Sequence, residues 1–485
     1  MVFSSPVFLF VFLPIVLALH FALGRRVRNF VLMLASLLFY AWGEPAMVLV
    51  MILSIVANYA FGLWLERERG RPEARFSPRT VLTLSVVFNL GLLAFFKYTN
   101  WMWDSVNALL GHFDAGALPA IPAIRLPIGI SFFTFQALSY VVDVYRKDVR
   151  AQKSLIDFAT YISLFPQLIA GPIVRYHDVA EQLADRSVDA SGFAYGIRRF
   201  VIGLAKKLLI ANTLAVPSDQ IFGIPGEQLP LALAWFGVVC YAVHIYFDFS
   251  GYSDMAIGLG HMLGFRFLEN FNYPYISTTI TEYWRRWHIS LSTFLRDYLY
   301  FPLGGNRLGT ARTYFNLFTV FVLCGLWHGA AWNFVVFGIL HGSVMVLERL
   351  GLAKIIHSLH PIVQRMYFLP VFLISYVLFR AKDLASAWDY LLSMFGFHTH
   401  TGPAYHVSLF LDSTVLVALI CGVIGCMPWL PKVIAWRRAL EESGQRIGLR
   451  RAVDLLGVVL VMSLLVLSAM ELSANTYNPF IYFRF

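Results

Sequence analysis

Long apolar runs punctuated by short polar segments dominate the pattern of this chain. Met1 to Gly24, Pro45 to Leu65 and Ser413 to Leu430 carry no Asp, Glu, Lys or Arg, and each approaches the ~20 apolar residues that a helix needs to cross a bilayer. Asn29 to Trp42 and Pro45 to Leu65 read as a helical pair broken at Gly43-Glu44-Pro45, because proline and the residue before it resist continued helix. Val81 to Phe96 and Leu126 to Val142 make the next pair. Ser154 to Lys207 mixes apolar pieces with Arg175, His177, Arg198 and Arg199, and Pro166 and Gly171-Pro172 interrupt it, which predicts a re-entrant or interfacial segment. Leu208 onward crosses again and Leu231 to Phe247 returns, delivering the chain to its most polar region, Asp248 to Arg312. Beyond it, Tyr314 to Leu347, Tyr367 to Phe379, Val407 to Leu430 and Leu455 to Met470 are apolar. The pattern predicts an all-α polytopic membrane protein with roughly ten transmembrane helices plus re-entrant and interfacial helices. With no internal repeat and no linker, residues 1–485 read as a single integral membrane domain.

Composition agrees: 58% of residues are hydrophobic and 14% charged, against about half and a quarter in soluble proteins. The net charge of +10 would suit nucleic acid if it were gathered on one domain, but the basic residues are spread among short loops. That distribution is the positive-inside signature and excludes nucleic acid as a partner, leaving membrane lipid. Glu66 to Arg79 carries five Arg against three Glu, and Arg146, Lys147, Arg150 and Lys153 follow the next pair. No Lys or Arg precedes Arg25, so the first run reads as a retained span rather than a cleaved signal, with the N-terminus outside the cytoplasm. The four cysteines all lie in apolar segments without C-x-x-C pairing.

The segment Thr313 to Leu347 holds 35 residues without an Asp, Glu, Lys or Arg, yet contains His328 and His341. It is too long for one span and too short for two. A break at Gly325-Leu-Trp-His-Gly-Ala-Ala331 would leave two short arms and a recessed, water-reachable turn. There His328 could take a proton from an attacking hydroxyl and return it to a leaving group. It could equally be a histidine hydrogen-bonded between helices, for instance to Asn333, and pattern alone leaves both readings open.

Glu282 to Pro302 places Trp284, Trp287, Leu291, Phe294, Leu295 and Tyr298 at helical spacing, which predicts an amphipathic interfacial helix. His288 sits beside its aromatic face, and Arg285 and Arg286 could attract a phosphorylated donor or simply anchor the helix. Asp248 and Asp254, within Tyr246 to Ala256, could order a donor pocket or pair with nearby arginine. His357, His360, His398, His400 and His406 form no H-E-x-x-H arrangement, so no metal site is expected. Phosphate-loop and nucleophile-elbow motifs are likewise missing, which removes the usual support for ATP-driven transport and serine-hydrolase chemistry.

Tyr246 to Gly260, Trp284-Arg-Arg-Trp-His288, Tyr300-Phe-Pro-Leu-Gly-Gly305 and Gly325-Leu-Trp-His-Gly329 together resemble the membrane-bound O-acyltransferase family, in family order and over most of the chain. The resemblance implies that His328 is the catalytic histidine and His288 the second signature residue, a position where the family commonly has Asn, Asp or His. For Arg285, Arg286 and Asp254 it implies only placement within family motifs, with a weak expectation that they bind the donor. It further implies helices around a central channel in the bacterial inner membrane. Through this channel an acetyl group from cytoplasmic acetyl-CoA would pass to periplasmic acetyl-transfer proteins and polysaccharide machinery. The polymer implied is an exopolysaccharide, alginate ahead of cellulose; a transporter or flippase for a lipid-linked sugar is the competing reading of the same intramembrane polar residues.

Overall fold

The computed structural model describes residues 1–69, 76–114, 116–169, 171–398, 405–442 and 447–474. Arg71, Arg75, His400 and Arg446 therefore lie outside the described residues. The chain runs through α1 (Phe8–Ala22), α2 (Arg28–Gly43), α3 (Val48–Arg69), α4 (Pro78–His112) and α5 (Ile130–Arg146). Three short helices follow, α6 (Leu155–Ser163), α7 (Phe165–Leu168) and α8 (Tyr176–Ala184), then the long α9 (Ala190–Phe222) and α10 (Leu231–Leu263). The polar region winds into α11 (Ile280–Arg286) and α12 (Ile289–Leu295). The rest comprises α13 (Thr310–His328), α14 (Trp332–Ser358), α15 (Pro361–Arg380), α16 (Leu384–Met394), α17 (Ser413–Gly425), α18 (Trp429–Glu442) and α19 (Ile447–Ala474).

Among the described residues, seven helices are long and apolar enough to cross a membrane, and α17 with α18, bent by 57°, makes an eighth. The count falls below the roughly ten predicted because some apolar runs form shorter helices. Met1 to Gly24 yields only α1, and Leu126 to Val142 yields α5, 17 residues long. Pro45 breaks the α2–α3 pair where predicted, and Pro166 sits in the fragmented α6–α7 stretch. Boundaries differ as well. The run predicted to end at Phe96 continues to His112, the span predicted from Leu208 begins at Ala190, and the helix predicted to end at Phe247 continues to Leu263.

That extension has an electrostatic cause. α9 and α10 approach closely through glycine: a Cβ on Gly203 would sit 2.5 Å from the Gly251 carbonyl oxygen, and one on Gly258 would sit 2.6 Å from that of Gly196. Small residues at such crossings let two backbones pack in lipid. The closeness lets α9 neutralise both aspartates of α10. Lys207 holds Asp248 at 2.6 Å with both side chains buried, while Lys206 (2.7 Å) and Arg199 (2.6 Å) hold Asp254. A π-helical turn at Lys206–Ala211 supplies both lysines. α10 is consequently the central helix, with 72% of its most apolar window buried against 6% for α19, whose side chains are left to lipid.

At the end of the bundle marked by Arg67, Arg69 and Arg146, α8 is fastened to α5 and the segment after α12. Arg175 bridges Asp178 (3.0 Å) and Asp297 (2.8 Å), while His177 and Tyr298 both engage Asp143 at 2.7 Å. The Asp143 hydrogen bond, then Asp178, raises the His177 imidazole to about 9. A raised histidine stabilises the fold fully below its unfolded value of about 6.5, and the contribution is lost as pH rises through about 9.

Two outcomes follow for stability. Thermal unfolding of the purified chain in detergent should show a falling midpoint between about pH 6.5 and 9, and His177→Gln should flatten that slope. Lys207→Met, which strands Asp248 in the core, should cost about 3–5 kcal/mol and lower the midpoint sharply; an unchanged midpoint would mean the pair contributes nothing.

Candidate active site

The charge-free stretch breaks where its small residues predicted. α13 ends at His328, Gly329 and Ala331 are extended, and α14 begins at Trp332. The two arms pack tightly: a Cβ on Gly325 would strike the Phe334 carbonyl oxygen, and one on Gly338 would lie 2.5 Å from that of Phe321. This crossing fixes where α13 stops and therefore where His328 points. Asn333 is not its partner, since the Asn333 amide donates to the carbonyls of Leu378 and Ala381, both at 3.0 Å.

His328 is buried among Trp327 (ring centroids 5.0 Å), Phe379 (5.1 Å) and Phe337 (5.9 Å). Its Nδ1 has no hydrogen-bond partner among the described residues, and the ring lines a small, partly open cavity of about 20 Å³. The bland reading of a histidine satisfied between helices is thereby removed, because the ring bonds neither helix.

The helix predicted over Glu282 to Pro302 is not continuous. It splits into α11 and α12 at His288, which adopts φ 44° and ψ 54°. The left-handed region is uncommon for residues with a Cβ and costs of order 1–3 kcal/mol. Asn270 holds the chain there. Its backbone carbonyl accepts from Ile289 N at 2.9 Å, and its side-chain oxygen accepts from Ser290 N (3.1 Å) and Ser290 Oγ (2.9 Å). His288 Nδ1 lies 3.2 Å from the same oxygen. Because the Ser290 backbone N–H can only donate, that atom is the amide oxygen, and it places the ring proton on Nδ1. Nε2 is left with its lone pair, buried and unpartnered among the described residues. The structure thus takes His288 off the interface and puts it in the interior, fully buried, with Phe249 edge-on at 4.6 Å. Trp327 stands against both histidines, its ring centroid 6.1 Å from His288 and 5.0 Å from His328.

Two buried imidazoles with unpartnered nitrogens thus stand around one indole, and His328 lines a cavity at a broken helix. A profile of the membrane-bound O-acyltransferase family matches residues 35–380. The chain belongs to that family. Over the full length of both proteins it is 42% identical to a protein of Azotobacter vinelandii and 41% identical to one of Pseudomonas aeruginosa, each named "Probable alginate O-acetylase AlgI". It is 36% identical to a peptidoglycan O-acetyltransferase of Helicobacter pylori, covering 82% of this chain and 80% of the relative. The chain is accordingly a multi-pass membrane acyltransferase, and acyl transfer rather than sugar transport is the activity of its family.

The remaining predicted site residues lie elsewhere in the bonding network. Arg285 is exposed, Arg286 pairs with Glu282 at 3.0 Å, and Asp254 is held by Lys206 and Arg199. Asp254 thus has the pairing that the sequence left open. Among the described residues no group of three or more His, Cys, Asp or Glu could hold a metal ion. His341, noted only as part of the charge-free stretch, accepts from Trp284 Nε1 at 3.2 Å. Asn270 carried no sequence signal, because its role is set by the fold-specific approach of residue 270 to residue 290.

Asn270→Ala should free the His288 ring and relax its backbone, leaving buried donors at Ser290 unsatisfied. Acyl-transfer activity of the inserted protein should fall by about one to two orders of magnitude, on a loss of about 1–3 kcal/mol at the site. Asn270→Asp, which keeps the accepting oxygen, should retain more activity than Ala, and equal activity of all three would remove Asn270 from the site.

Proposed function

We propose that this chain O-acetylates an exopolysaccharide, with alginate as the polymer, using acetyl-CoA as the donor. It would work in a bacterial inner membrane as one integral domain over residues 1–485, its N-terminus on the periplasmic side. Periplasmic acetyl-transfer proteins and polysaccharide machinery would be its partners. The basic end of the bundle would then face the cytoplasm, where the donor is made, and the recessed helix break would meet acceptors from the other side. Full-length identity above 40% to the two alginate O-acetylase relatives supports the polymer.

The observation that carries the reading is the pair of buried imidazoles meeting around Trp327, with His328 open to the cavity. An acceptor hydroxyl attacks the acetyl carbonyl carbon as His328 takes its proton, and the proton then passes to the leaving thiolate. His288, with Nδ1 protonated against Asn270, presents a second lone pair that can hold the acceptor hydroxyl or donor in line.

His328→Ala should leave expression and membrane insertion intact while acetyl content of the secreted polymer falls by at least about 100-fold, the usual worth of general acid–base catalysis. Normal acetylation by a well-expressed variant would sink the assignment, as would transfer of labelled acetyl to cellulose but not alginate for the choice of polymer.

A further inference from the structure

Lys97 lies more than halfway along α4, 7% exposed, in a helix without an Asp, Glu, Lys or Arg from Val81 to Phe96. The lysines of α9 each hold an aspartate. Lys97 pairs with no carboxylate among the described residues; its ammonium donates to the Trp327 carbonyl oxygen and to Ser131 Oγ at 3.3 Å. A lone buried cation is costly, and nothing in packing demands one here, since methionine fills the same space. An ammonium has three donors, and these two contacts use two. Lys97, Ser131, Trp327 and His328 line the same cavity.

The geometry points to Lys97 as a further catalytic residue, its remaining N–H donating to the acyl carbonyl oxygen as that oxygen gains negative charge. This rests on the acyl-transfer reading of His328. The acceptor oxygen bonds to the acyl carbon, the carbonyl electron pair moves onto oxygen, and the hydroxyl proton goes to His328. Collapse of the intermediate breaks the carbon–sulfur bond and the proton leaves with the sulfur. Lys97 keeps its own protons throughout and acts only as a fixed donor, held in place before the oxygen gains charge. Its hold on the Trp327 carbonyl sets its distance from the neighbouring His328.

The test uses the purified full-length chain in lipid nanodiscs, with acetyl-CoA and alginate oligosaccharides as probes, reading CoA release. Lys97→Met should fold with an unchanged or raised unfolding midpoint. Its kcat should fall by about 100- to 1,000-fold with KM for acetyl-CoA little changed, as when one oxyanion donor is removed. Lys97→Arg should recover part of the rate. A donor whose carbonyl oxygen is replaced by sulfur, a poor acceptor, should be discriminated against by the wild type and much less by Lys97→Met, which a purely structural lysine would not produce. If Lys97→Met is not recovered folded, Lys97→Gln takes its place in both measurements. Wild-type kcat, or an effect confined to KM, overturns the proposal. If the wild type releases no CoA, the donor assignment fails separately. Polymer acetylation in cells carrying Lys97→Met or Lys97→Arg then decides, and wild-type acetylation by Lys97→Met overturns it.

Discussion

A bilayer interior offers no partner to a polar group, so a buried one gains by bonding within the protein or by facing a cavity. Asp248 and Asp254 take the first course, and to do so they require α9 and α10 to touch backbone to backbone through glycine. Asn58 and Asn89 do the same between α3 and α4, bonding each other at 2.7 and 3.0 Å. These satisfied groups frame the bundle. His328 takes the second course and lines the cavity, while His288 Nε2 is buried without a partner among the described residues.

The site inherits its chemistry from this frame. His328 sits at a helix end whose position is set by the Gly325–Gly338 crossing, and His288 sits at a helix break held by Asn270. Neither ring is placed by a flexible loop. Trp327 stands against both rings, so each histidine has aromatic surface on one side.

Much of this was legible in the residues. Charge-free runs gave the membrane class, and the small residues around His328 gave the break, because span arithmetic is local and needs no partner. The failures are equally physical. The run Val81 to Phe96 stopped at Lys97 because a lysine looks like the end of a span, whereas α4 continues to His112 and makes it an interior group. Asp248 and Asp254 looked like the exit from the membrane because the cations that neutralise them, Lys207, Lys206 and Arg199, lie far earlier in the chain on another helix. The helical spacing of aromatics from Trp284 to Tyr298 concealed a break at His288, because the residues flanking it remain helical on both sides.

The left-handed backbone at position 288 also constrains which residues can serve there. Besides glycine, the residues that enter this conformation most readily are Asn, Asp and His. The main chain therefore limits what fits here before the imidazole does. A β-branched residue would be rejected by the turn itself, whatever its side chain could do, and the alphabet open to position 288 is narrowed by geometry to residues that happen to be polar.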